Sequence, residues 1–254
     1  MDPQLIKNIS DFIPSSSKEL LLNPIFNSLG NGISSAIDTI FYPLIKRNII
    51  HKQELEDLQK KTAENISNIP PDNLDTTKPG LFLKALEESK YSINEEILRD
   101  MFAKLIASGV DNRKNQSITP RYATVLSQLG SQDAQFLSLL HKQLNFQVPT
   151  GYLFIENTIT SEEHSISDTF LCNNDGEIFK LPMDTIAILT SLGIISSTHE
   201  SYLTYDLYKK GYHLIESHFN ALNIITPSEN EKIALKKGII NTTSFGQNLF
   251  HYIF

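Results

Sequence analysis

The sequence predicts a mainly α-helical fold with a minor β component, a helical core followed by a winged-helix-like C-terminal region. Three observations carry that prediction. Segments between residues 93 and 141 repeat apolar residues at helical spacing, with start and stop signals around them. Strand-like runs are short and confined to the second half. The C-terminal segments follow the order helix, strand, inserted helix, strand, helix, the outline of a winged helix with a long wing.

The composition, 40% hydrophobic and 20% charged over 254 residues, is that of an ordinary globular protein able to bury a sizeable core. The patterning divides the chain into an N-terminal helical arm over 1–68, a central helical core over 80–144 and an α+β, winged-helix-like region over 145–254. The single cysteine, Cys172, excludes an internal disulfide framework and a Cys-rich metal site, and it fits a reducing cytoplasm. The first ten residues lack a basic region followed by an apolar run, so secretion is not expected. No run of about 18 apolar residues is present, so no ordinary transmembrane helix is expected either. The expected location is cytoplasmic, with a peripheral place at the inner membrane left open by the segment described next.

Leu20 to Ile50 reads LLLNPIFNSLGNGISSAIDTIFYPLIKRNII, and between Leu20 and Ile45 it holds no Lys or Arg and one charge, Asp38. Ile33, Ile37, Ile40, Phe41 and Leu44 recur at helical spacing, and Pro43 is expected to interrupt or kink that helix. Gly30 and Gly32 would permit close helix approach, whereas Asp38 opposes membrane insertion unless it faces protein or water. Together these residues form a candidate membrane or oligomer segment. Packing on the core, contact between subunits and conditional membrane engagement all remain open for it.

Residues 51–65 turn charged, and Pro-Pro and Pro-Gly pairs mark a connector with a boundary near 68–80. The next helix is expected over Ile93 to Ser108, opened by a Ser92/Glu95 capping box and closed by a left-handed Gly109. Thr119-Pro120 opens a helix that stops at Gly130. Ser131 caps another, with Ala134, Leu137 and Leu140 as its buried row. Gly151 to Ile155 and Ile178-Phe179 look strand-like, Asn173 to Gly176 is a turn, and Thr158 to Asp168 reads as a surface loop. Pro182 opens a helix that Gly193 stops, followed by a strand at Ile194-Ile195. A helix over Tyr205 to Leu222, a strand over Gly238 to Thr242 and a helix over Ser244 to Phe254 complete the chain.

Charge and motifs then bound the function. Residues 1–142 hold 16 Lys+Arg against 17 Asp+Glu, while 143–254 hold 6 Lys, no Arg and 12 Asp+Glu. An Arg-free acidic half is a poor match for phosphate, and the recognition-position helix MDTIAILTSL lacks Arg, Lys, Gln and Asn. Nucleic acid is therefore not an expected partner, although a winged-helix DNA-binding regulator is the runner-up reading. The seven histidines form no H-E-x-x-H motif, and no nucleophile-elbow, P-loop or dinucleotide motif is present. The expectation is a non-enzyme with no catalytic residues, no metal and no cofactor.

Three blocks carry a resemblance. They are NPIFNSLGNGISSAIDTIFYPLIKRNI, the centre EEILRDMFAKLIASGVDNRKNQSITPRYATVLSQLGSQDAQFLSLL, and the tail pair LTSLGII and KKGIINTTSFGQNLF. The centre, with Gln128-Leu129 and Asp133-Ala134, and the tail resemble the Abi-alpha (abortive infection) family of bacterial phage-resistance proteins. Similarity extends over about residues 20 to 254. Thr119-Pro120 stands where the family often has His-Pro, Asn241-Thr242 replaces a hydrophobic-Thr pair, and 145–180 matches little. The resemblance implies anti-phage defence by abortive infection. It transfers no active-site residues, and it leaves a phage or host protein trigger and a homo-oligomer as the expected partners.

Overall fold

The computed structural model describes residues 36, 39–222 and 227–254. Its architecture is α+β, which corrects the mainly helical, winged-helix expectation: helices share the described residues with a six-stranded antiparallel sheet. The chain separates into two compact units. The first runs through Ala134 and includes Leu249–Phe254, and the second is Gln135–Asn248.

The first unit is helical. After a helical stretch over 39–46, which continues through Pro43, come α1 (Lys52–Ser67), α2 (Pro79–Ser89), α3 (Glu96–Ser108) and α4 (Arg121–Leu126). Helix α1 buries Leu55, Leu58, Ala63 and Ile66, spaced so that one stripe faces inward. Each such Leu or Ile contributes roughly 1.5–3 kcal/mol on burial. Helix α3 packs against both α1 and α2, and its Leu98, Met101, Phe102, Leu105 and Ile106 are all buried.

Two details of α3 differ from expectation. The Ser92/Glu95 box gives way to a backbone turn, in which the Glu95 amide donates to the Ser92 carbonyl at 3.1 Å, and the helix starts at Glu96. Gly109 keeps a right-handed φ of −67°. Its role is close approach: a Cβ there would lie 3.3 Å from the Phe82 amide nitrogen in α2.

The connector is stitched to the loop after α3. Leu74 and Asp111 form a β-bridge, the Asp75 amide donates to the Val110 carbonyl, and the Asn112 amide donates to the Asn73 carbonyl, both at 2.9 Å. The Asn115 side-chain amide donates to Asp75 at 2.8 Å.

Helix α5 (Ser131–His141) and the last helix, α8 (Ser244–Ile253), each run across the division between the units. Gly130 precedes α5, and its amide donates to Asp133 Oδ2 at 2.9 Å.

The second unit is built on two long strands, β1 (Gln147–Asn157) and β6 (Glu231–Thr242), paired antiparallel from Gln147↔Asn241 to Asn157↔Glu231. Strand β3 (Phe170–Cys172) pairs with the first half of β1, and β2 (Glu163–Ser165) pairs with its second half. Strands β4 (Ile178–Lys180) and β5 (Ile195–Thr198) complete the order β4-β3-β1-β6-β5. This pairing overturns the winged helix. The strand expected as one arm of a wing is the second half of β6, and β6 is held along its length by a strand that precedes the supposed recognition helix, α6 (Met183–Ser191).

Several local expectations are met here. Asn173 to Gly176 forms the β3–β4 turn, with Gly176 at φ +82°. Gly193 ends α6 at φ +75°, a backbone region that glycine enters without steric cost. Helix α7 (Asp206–Leu222) lies on one face of the sheet, with Ile215 and Phe219 packed against Cys172, Leu153, Phe170 and Leu235.

Candidate functional site

Of the segment singled out in the sequence, Gly30, Gly32, Ile33, Ile37 and Asp38 lie outside the described residues. Ile40 and Leu44 are half-buried, and Phe41 is fully buried. The described end of the apolar stripe is thus already engaged in packing. Among the described residues no helix is long and apolar enough to cross a membrane.

A cleft of about 210 Å³ opens in the first unit. Its walls come from the end of α1 (Asn65, Asn68), the end of α3 (Lys104, Ser108), the following loop and the C-terminal residues of α8. The loop, Asp111-Asn-Arg-Lys-Asn115, begins where α3 runs out of apolar residues, and the Leu74 bridge holds it in place. Asp111 is buried, and its two oxygens take the Arg113 guanidinium at 2.8 and 2.6 Å while one also accepts the Arg113 amide at 3.0 Å. Burial pushes the Asp111 carboxyl up. The Arg113 hydrogen bonds, with the charges of Arg113 and Lys114, outweigh burial and hold it below its usual value. Lys114 reaches the His251 carbonyl at 3.4 Å, and Lys104 stands 6.0 Å from the centre of the Phe254 ring. Tyr252 closes one side, its hydroxyl 2.9 Å from Ser117 Oγ. Three cations and one carboxylate therefore line the cleft.

The second unit has a cleft of about 280 Å³ beside Cys172, between α7 and the β3–β4 turn. The Cys172 thiol is buried, and burial pushes its pKa up, away from nucleophilic thiolate. On the sheet, the His199 ring meets Tyr152 edge-on at 5.0 Å and lies over Gly238, where no Cβ could be accommodated. Burial and, secondarily, the Lys236 charge push the His199 pKa down. Among the described residues, no three His, Cys, Asp or Glu side chains gather where they could hold a metal ion.

A family model described as "Abortive infection alpha" matches residues 50–253. The chain belongs to that family. The Abi-alpha match spans both structural units and every element from α1 to α8, so the resemblance of the centre and tail blocks is confirmed. It begins at Ile50, which leaves the apolar block of residues 20–49 outside it. With membership comes the association with abortive infection and anti-phage defence. Searches of the curated proteins and of the solved structures gave no match.

Within this Abi-alpha chain, the cationic cleft is the feature that sequence reasoning passed over. Asp111, Arg113 and Lys114 lie between two expected helices, in a stretch that carries none of the motifs sought. The available signal was the Asp-x-Arg spacing, which lets one buried carboxylate orient a guanidinium two residues on.

Proposed function

We propose that this Abi-alpha protein acts in abortive infection as a binding protein, without catalysing a reaction of its own. The observation that carries the reading is the family match across both units. The surroundings of its polar groups support the non-catalytic part. Asp57 is tied to Arg99 at 2.9 Å and to Lys61 at 3.0 Å, in a cluster that also includes Asp100. Cys172 is buried and held as the thiol. These are the surroundings of structural groups rather than of an activated nucleophile or a general base.

In this reading a phage or host protein is the trigger, and contact with it or with a second copy of the chain is the active step. Full burial of Phe41 favours protein packing over membrane entry for the described end of the apolar segment. The remainder of 20–45 supplies any peripheral membrane contact. The regulator reading loses its scaffold with the winged helix.

The test is plating efficiency over a phage panel in bacteria expressing the intact chain or one lacking residues 20–38, which keeps Phe41. Fewer plaques with both chains support binding through the folded units. Protection lost only in the deletion, with the fold intact by circular dichroism, moves the active step to the apolar segment. Full plating of every phage on cells that accumulate folded protein counts against the defence role.

A further inference from the structure

We propose that the cleft at the ends of α1, α3 and α8 is a binding site for a phosphate-bearing ligand. Among side chains the lining carries Lys104, Arg113 and Lys114 against one carboxylate, Asp111. Asp111, itself part of the lining, orients Arg113. It takes the guanidinium through Nε and one Nη, which leaves further N–H donors on an exposed group. A guanidinium held this way has little rotamer freedom left to lose when a ligand arrives. Lys104, half-buried on α3, also lines the cleft, its ammonium 6.0 Å from the centre of the Phe254 ring. Asn65, Asn68 and Ser108 add neutral donors.

Cations also gather at helix C-termini for structural reasons, because the last carbonyls lack amide partners. Three helices end at this cleft, so that explanation competes directly. It accounts for Lys114, which reaches the His251 carbonyl. It does not account for Arg113, which is turned onto Asp111, or for Lys104, whose ammonium stands 6.0 Å from the centre of the Phe254 ring. Lys104 and the remaining N–H donors of the Asp111-paired Arg113 are therefore what the cleft offers an incoming anion. A cleft of about 210 Å³ suits a phosphate or diphosphate group with a small attachment rather than a polymer. The phosphate can belong to a free molecule or to a lipid headgroup, and the chemistry of recognition is the same. The inference goes beyond the defence role and can hold whether or not the chain protects cells.

The experiment is isothermal titration of the full-length chain with inorganic pyrophosphate and with adenosine monophosphate at low salt, alongside flotation with phosphatidylglycerol vesicles. Each arm is repeated with Lys104→Gln and with the double variant Lys104→Gln/Lys114→Gln, after thermal melts confirm that both fold. The expected result is saturable binding in at least one arm, weakened about tenfold by Lys104→Gln and further by the double variant or by added salt. Titration by the soluble probes identifies a free phosphate ligand, and flotation alone identifies a headgroup. No binding in any arm, or binding that both variants leave unchanged, overturns the proposal and leaves the cations to the helix ends.

Discussion

The fold disfavours protonation of His199, because burial and, secondarily, the Lys236 charge oppose a cation in this half-buried site. A base whose folded pKa is depressed is protonated more readily when unfolded, so its stabilising contribution is complete above the unfolded value near 6.5 and is lost as pH falls below it. Melting temperature is expected to fall between pH 7 and pH 5, and His199→Phe to flatten that fall while keeping an aromatic contact to Tyr152. An unchanged pH slope in the variant would remove His199 from the account. Asp75 acts at the other end of the scale: hydrogen bonds from Thr77 and Asn115 push it down to about 2. Its contribution is present above the ordinary carboxylate value and is lost only as pH drops toward 2. Gln59 is a different kind of liability. It is buried on α1 with neither amide atom partnered among the described residues. Because an unsatisfied buried polar group costs about 1–3 kcal/mol, Gln59→Leu is expected to raise stability in urea denaturation by about 1 kcal/mol. A loss of that size would mean the amide is satisfied in solution.

Helix α7 depends on Gly211 for its seat on the sheet. A Cβ there would lie 2.8 Å from Pro149 Cγ and 3.6 Å from Cys172 Cβ, both on strands. Gly211→Val is therefore expected to destabilise the second unit by about 1–3 kcal/mol through overpacking, despite removing a helix-interior glycine. A thermal melt at or above the parent value would show that the helix can shift. Elements with local signals were legible in the sequence. Helices α3, α6, α7 and α8 lie within a few residues of expectation, because apolar spacing and glycine or proline stops are written into each segment. The sheet was not legible, because its evidence lies in pairing. Gln147 to Asn157 carries Pro149 and Gly151, which weaken any strand signal, yet eleven register pairs with β6 hold it extended. The first half of β6, Glu231 to Lys237, mixes charges with Ile233 and Leu235 at alternate positions. That is the period of a strand with one face in contact, although its charges mask the signal and the apolar run begins only at Gly238. The candidate cleft was hidden for the same reason. Asn65, Lys104 and Phe254 are far apart in sequence, and only the fold brings them to one opening.

At the scale of the whole molecule, the family match and the two units describe one object: an α+β chain whose helical unit is completed by its own last residues. Abortive infection predicts a particular outcome for the infected cell, in which phage production falls although the cell does not recover. The most direct measurement is phage yield per infected cell together with survival of those cells at high phage dose, with and without the intact chain. The account predicts a markedly lower yield and no gain in survival. Infected cells that survive and divide, or a yield that stays at the level of unprotected cells for every phage tried, would contradict it.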